Sequence, residues 1–188
     1  MEVLVTENSA EATLLNQELL APVSIGLLAD FMLENGLFLA TAESCTGGMI
    51  AAACTDLAGS SAWFERGFVT YSNAAKTDRL GVGAALIAQH GAVSEPVARA
   101  MAFGAIRHSH AQVSIAVTGV AGPTGGSAGK PVGTVWFAWS VNGSLQSEMM
   151  CFKGDRASVR QATLQHAIGK LLILLGQKSP WQAAAKTR

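Results

Sequence analysis

Apolar and polar positions along this chain switch repeatedly between a helical period and short apolar runs. Ile25, Leu28, Ala29 and Met32 share one helical face behind Pro22, and Asn35-Gly36 stops that helix. Residues 37–41 read as a buried strand. Residues 47–57 read as a helix whose small face (Ala51, Ala52, Ala53) lets it lie close to a sheet. A second strand, 67–71, runs into Ser72-Asn73, a good helix start because both side chains accept free backbone N–H groups. Ser94-Glu95-Pro96 opens another helix, with proline at an early position that tolerates it. Residues 113–117 are a short β-branched strand. Residues 132–140 and 145–152 pair as strands through the turn Asn142-Gly143. A last helix starts near Asp155 and carries Leu164, Ile168, Leu171, Leu172 and Leu175 at helical spacing.

Helices and strands therefore alternate until a hairpin appears. The expectation is a three-layer α/β/α sandwich with a mixed, mostly parallel sheet. No internal repeat or interdomain linker is visible. Residues 22–176 make one domain, preceded by an extension (1–21) with a weak helical pattern around Leu14, Leu15, Leu19 and Leu20, and followed by a polar tail (177–188).

Composition narrows the class. The 188 residues are 49% hydrophobic and 14% charged, enough for a sizeable core. Formal net charge is zero and no run of Lys or Arg exists, so no nucleic-acid partner is expected. No apolar stretch is long enough to span a bilayer, so no membrane partner is expected either. Met1-Glu2-Val3-Leu4-Val5 lacks the basic start and apolar core of a signal peptide. Three cysteines without a C-x-x-C argue against a disulfide framework and against structural zinc. A reducing cytoplasm is the simplest compartment, and neither metal nor cofactor is expected.

The chemistry concentrates at strand ends. Ala42-Glu43-Ser44-Cys45-Thr46-Gly47-Gly48 places two nucleophiles, Ser44 and Cys45, where an apolar run meets a helix. Backbone N–H groups from Cys45 to Gly48 at such a junction are candidates to hold an anion or oxyanion. Ser44 and Thr46 are also ordinary N-cap residues. Cys45, like Cys54 and Cys151, reads equally as a small buried hydrophobe. A serine hydroxyl needs a base. Lys76 serves only if burial or a neighbouring cation such as Arg156 makes it neutral; otherwise it is a solvated lysine. His90, His108, His110 and His166 are rival bases, each better read as a surface or capping residue. No G-x-S-x-G elbow is present. Tyr71, the only tyrosine, is either a strand-end amphipath or a hydroxyl donor to substrate.

The loop after the third strand holds Thr118, Gly119, Gly122, Gly125 and Gly126 and leads to Lys130. Its glycines permit a backbone nest for an anion. It is neither a Walker loop nor G-x-G-x-x-G. Arg156 pairs on the surface with Asp155 or Glu148, or offers its planar fork to a phosphate.

These segments, A-E-S-C-T-G-G, A-G-S-S-A-W-F-E-R-G-F-V-T-Y-S-N-x-x-K, H-G-A-V-S-E, T-G-V-A-G-P-x-G-G-S-x-x-K-P-V-G-T-V-W-F and F-x-G-D-R-x-x-V-R, together resemble the CinA C-terminal domain family. Its stand-alone nicotinamide-nucleotide amidase members are the nearest pattern. The resemblance runs from about Ile25 to Leu175 and implies hydrolysis of the carboxamide of nicotinamide mononucleotide. It further implies a three-layer sandwich, commonly dimeric, in pyridine-nucleotide salvage. Carried onto matching positions, Ser44 is the nucleophile and Lys76 its base, with Tyr71, Thr118 and Arg156 as partners. The molybdopterin-binding-like domain of longer members is absent from this sequence, so that domain's activities do not transfer. The alternatives are a non-catalytic nucleotide-sensing module using the same loops, or a protein-interaction domain.

Overall fold

Strand order and face, more than strand length, set the architecture. The structure is a computed structural model and describes residues 25–176. The weak helical pattern near Leu14–Leu20 and the polar tail lie outside the described residues. Helix α1 covers residues 25–35, with Ile25, Leu28, Ala29 and Met32 buried as their spacing predicts. There follow β1 (Leu39–Glu43), α2 (Met49–Thr55), a 3₁₀ turn (Ser60–Ala62), β2 (Phe64–Val69), α3 (Asn73–Leu80), α4 (Ala84–His90) and α5 (Glu95–Arg107). The described residues end with β3 (Val113–Gly119), β4 (Thr134–Val141), β5 (Ser144–Cys151) and α6 (Arg156–Leu174).

The five strands lie in the order β2-β1-β3-β4-β5. β1 pairs in parallel with both β2 and β3, while β4 runs antiparallel to β3 and to β5. Four strands therefore point one way and only β4 opposes them. One face carries α1, α2 and α6 over Leu39, Ile115, Val117, Phe137 and Trp139. The other carries α3, α4 and α5 over Ala40, Ala42, Ala116 and Ala138. The second face presents small residues to its helices, Ala40, Ala42, Ser114, Ala116 and Ala138 among them, and α5 packs tightly on the end of α3: a Cβ on Gly104 would lie 2.2 Å from the Leu80 carbonyl oxygen. Trp139 meets its polar need inside the first layer, donating from Nε1 to the Ala167 carbonyl at 2.9 Å.

Most element limits shift by a residue or two, and three differences have a physical reason. β1 runs on to Glu43, because its buried polar residues are satisfied: Thr41 donates to Glu43, and Glu43 accepts from N–H groups of α2. β2 starts earlier, at Phe64, because it is an edge strand whose exposed side accommodates Glu65 and Arg66. α4 was not expected; it is a single short helix between Gly83 and Gly91. The small face of α2 works as predicted: a Cβ on Gly67 of β2 would lie 2.9 Å from the Ala51 Cβ.

This topology fixes where a site forms. From β1 the chain crosses to β2 on one side, and later to β3 on the other. The carboxyl ends of these parallel strands open a crevice at that reversal, the usual ligand position in open α/β sheets.

Candidate active site

Ser44 is the first residue beyond β1, in that crevice, and its N–H donates to the Val117 carbonyl of β3 at 3.1 Å. The chain then turns through Gly47 (φ 62) and Gly48 (φ 98), left-handed conformations that favour glycine at both positions. The N–H groups of this turn are not all free. Glu43 is 1% exposed, and its carboxylate folds back over the start of α2. It accepts from the N–H groups of Gly48 (3.0 Å), Ile50 (3.1 Å) and Ala51 (2.8 Å), and from the Thr46 hydroxyl at 2.7 Å. Gly47 N–H donates to the Ser44 carbonyl at 3.1 Å. The predicted anion cradle from Cys45 to Gly48 is thus reduced. Within this turn, Cys45 and Thr46 keep N–H groups without an oxygen acceptor, and both face the Cys45 sulfur.

Lys76 reaches Ser44 from α3. Ser72 caps that helix, its hydroxyl accepting from Ala75 N–H at 3.1 Å, which sets Lys76 one turn in and facing the crevice. The side chain is buried at 1% exposure, so the reading of a solvated lysine is set aside. Its Nζ donates to the Thr70 carbonyl at 2.7 Å, lies 3.4 Å from the Tyr71 carbonyl, and stands 3.0 Å from Ser44 Oγ. Burial pushes the Lys76 amine below its ordinary value of 10.5, opposed in part by the Cys45 thiol. In its neutral form such an amine would give its two N–H bonds to the two carbonyls and its lone pair to the Ser44 hydroxyl. Cys45 is buried too, and burial raises its thiol to about 11. A thiol so raised carries almost no thiolate at neutral pH, which removes its advantage as a nucleophile.

A cleft of about 220 Å³ opens beside this pair, lined by Ser44, Lys76, Tyr71, Thr118, Gly119 and Arg156 among others. Tyr71 is exposed at its rim, and Arg156 Nη2 donates to its hydroxyl at 3.1 Å. Arg156 Nη1 donates to the Gly122 carbonyl at 2.9 Å, so this arginine pairs with neither Asp155 nor Glu148. Thr118 Oγ1 donates to the Ala92 carbonyl at 2.9 Å and ties β3 to the turn before α5.

The rest of the glycine-rich loop stands apart from the cleft. Gly125, Gly126 and Lys130 do not line it. Lys130 donates to the His90 carbonyl at 3.1 Å. A Cβ on Gly122 would lie 2.5 Å from Val132 Cγ1, and one on Gly126 2.9 Å from the Val132 nitrogen, so these glycines permit close packing within the loop. The histidines also stand away, and one corrects the sequence reading. His166 is no surface or capping residue: its ring packs on Phe137, Trp139 and Phe152 and contacts Glu148. Cys151 is exposed on the edge strand β5, not a buried hydrophobe.

Two residues escaped the sequence reading. Glu43 is an acid closing a buried strand just before T-G-G, a pattern that signals a helix-capping carboxylate. Arg160 follows Arg156 by four residues, hence on the same face of α6, and its Nη2 donates to the Thr46 carbonyl at 2.7 Å.

Fold and site together define an α/β/α protein with a serine and a buried lysine at the switch point of its sheet. The chain belongs to the CinA C-terminal domain family, whose model matches residues 25–175. Among its relatives, an Escherichia coli K12 protein named nicotinamide-nucleotide amidohydrolase PncC is 53% identical over 137 residues, covering 72% of this chain and 83% of that one. A Pseudomonas putida protein of the same name is 57% identical over 134 residues, covering 71% and 84%. The crystal structure of a competence-damaged protein (CinA) superfamily member from Escherichia coli superposes with a TM-score of 0.80 at 40% identity, over 82% of this chain and 90% of that one.

Proposed function

We propose that this chain hydrolyses the carboxamide of nicotinamide mononucleotide to nicotinate mononucleotide and ammonia, with Ser44 as nucleophile and Lys76 as its base. The observation that carries the mechanism is the 3.0 Å approach of Lys76 Nζ to Ser44 Oγ in a buried seat without a contacting carboxylate. The substrate is supported by the relatives named nicotinamide-nucleotide amidohydrolase, at 53% and 57% identity. Three unpaired thiols fit work in a reducing cytoplasm.

Ser44 Oγ attacks the amide carbon while its proton passes to the Lys76 amine. The carbonyl oxygen gains charge, and the N–H groups of Cys45 and Thr46, which face the Cys45 sulfur and no oxygen, are the main-chain donors of this turn left to receive it. The C–N bond breaks as Lys76 returns the proton to the departing nitrogen, releasing ammonia and leaving an ester on Ser44. Water, deprotonated by the same amine, cleaves that ester, and the proton goes back to Ser44. Tyr71 and Arg156 form the wall beside the reacting group.

Ammonia release from nicotinamide mononucleotide tests the assignment. Ser44→Ala is expected to lower kcat by about 10³-fold or more while Cys45→Ala keeps most activity. The reverse pattern would overturn the choice of nucleophile.

A further inference from the structure

Ser44 and Thr118 end neighbouring parallel strands. Glu43 pairs with Val117, and the Ser44 N–H continues that register by donating to the Val117 carbonyl at 3.1 Å. Ser44 and Thr118 are therefore neighbours across one strand gap, roughly 4.8 Å in any sheet. Each lies two residues beyond an alanine, Ala42 or Ala116, that faces the layer of α3, α4 and α5. Side chains two apart on a strand share a face. Both hydroxyls meet groups from that layer: Ser44 meets Lys76 of α3, and Thr118 meets the Ala92 carbonyl in the turn before α5. Both residues line the cleft.

A hydroxyl carries one hydrogen and two lone pairs. Thr118 has committed its hydrogen, since the Ala92 carbonyl, 2.9 Å away, can only accept. The turn that holds this carbonyl is itself fixed. Ser94 Oγ donates to the Gly91 carbonyl at 2.8 Å, and Lys130 Nζ donates to the His90 carbonyl at 3.1 Å. Thr118 Oγ1 is thus left with lone pairs alone for a bound molecule. Acceptors are otherwise scarce among the side chains of the lining. No carboxylate lines the cleft among the described residues. Arg156 can only donate, and the Tyr71 hydroxyl, which accepts from Arg156 Nη2 at 3.1 Å, keeps its own hydrogen to give. Lys76 already occupies the Thr70 and Tyr71 carbonyls.

We propose that Thr118 Oγ1 accepts a hydrogen bond from the NH2 of the substrate carboxamide, and that it selects the amide as the group presented to Ser44. The substrate rests on the amidase reading above; the acceptor-only state of Thr118 does not. A carboxamide has an oxygen that accepts and a nitrogen that donates. With its NH2 held at Thr118, its oxygen is left for the N–H groups of Cys45 and Thr46. When Ser44 Oγ bonds to the carbon, the nitrogen gains a lone pair, and Lys76 passes it the proton taken from Ser44. Thr118 holds one amide hydrogen through that change, until the C–N bond breaks and ammonia leaves. The acid produced after water cleaves the ester offers only lone pairs, so this contact is lost on turnover.

Turnover is measured on nicotinamide mononucleotide and on the methyl ester of nicotinate mononucleotide, which has no N–H to give. Wild type, Thr118→Val and Thr118→Ser are compared. Thr118→Val should lose about 30-fold or more in kcat/KM on the amide and less than about 3-fold on the ester. Thr118→Ser keeps the hydroxyl and should stay within about 5-fold of the wild type on both. Equal losses on amide and ester would make Thr118 a structural tie for the Ala92 turn and overturn the proposal, as would no loss on the amide. Calorimetry with Ser44→Ala, which removes turnover, compares nicotinamide mononucleotide with its 3-acetylpyridine counterpart, a methyl ketone of the same shape without the N–H. The amide should bind at least about 10-fold more tightly. Equal affinities would overturn the proposal even if Thr118→Val does not fold. If the wild type releases no ammonia from nicotinamide mononucleotide, the amidase reading fails and this binding preference decides alone: its presence upholds the acceptor role and its absence rejects it.

Discussion

In the proposed mechanism Lys76 is a base made by its surroundings. A lysine in water is an ammonium with no lone pair at neutral pH. Here burial lowers its affinity for a proton, and the neighbours of Nζ are a hydroxyl and two carbonyls. The sign of the pH effect follows. Below the depressed folded value Nζ is charged and cannot accept the Ser44 proton; above it the amine is free. The kcat/KM of the wild type should therefore rise with pH along a limb centred below 10.5, the ordinary lysine value. Lys76→Arg keeps the charge at every accessible pH, so it should lower kcat by about 10³-fold or more and show no such limb. A pH–rate profile of both proteins checks this. A limb unchanged in Lys76→Arg would give the base to another residue.

At the scale of single elements, the short helix α2 depends on the residue before the nucleophile. An isolated helix of 7 residues is too short to persist in water, and no side chain at its own N-cap, Gly48, holds it. Glu43 does so from the end of β1, taking three N–H groups that would otherwise be buried and unpaired. Glu43→Ala should cost about 3 kcal/mol or more, read from denaturant unfolding, and disorder the turn that carries Ser44. A loss below about 1 kcal/mol would show that α2 stands without it. The same residue marks the limit of what the sequence discloses. Helices with one apolar face, such as α1 and α6, were legible because spacing alone dictates them. The hairpin was legible from Asn142-Gly143. Glu43 was not, because a charge after an apolar run ordinarily marks the end of burial, and only the three-dimensional return of α2 changes its meaning. Lys76 was ambiguous for a like reason: its burial depends on β1, β2 and α3 meeting. The glycines of the 118–127 loop were ambiguous in another way, since freedom to form a nest and freedom to pack tightly leave the same composition; Gly119 lines the cleft, while Gly122 and Gly126 pack against Val132.

Across the whole molecule, both helical layers are fastened to the sheet by polar contacts. On one side Ser147 of β5 bridges Arg99 and Glu95 of α5; on the other Lys170 of α6 donates to Glu148 of β5 at 2.9 Å, and His166 contacts the same carboxylate. Burial pushes the Glu148 carboxyl up, but the hydrogen bonds from Lys170 and His166 outweigh it and hold it below its ordinary 4.5. A carboxylate so depressed adds stability above that ordinary value and loses it as the pH falls through the folded one. Glu148→Gln should lower Tm by about 2–4 °C at neutral pH, and the gap to the wild type should close below about pH 4. A gap independent of pH would assign the effect to packing. The fastening matters because α6 is the last described helix and delivers Arg156 to a wall whose other members were laid down far earlier, Tyr71 being 85 residues before it. That wall therefore exists only once residues 85 positions apart have met, so it forms with the tertiary fold and not with any local element.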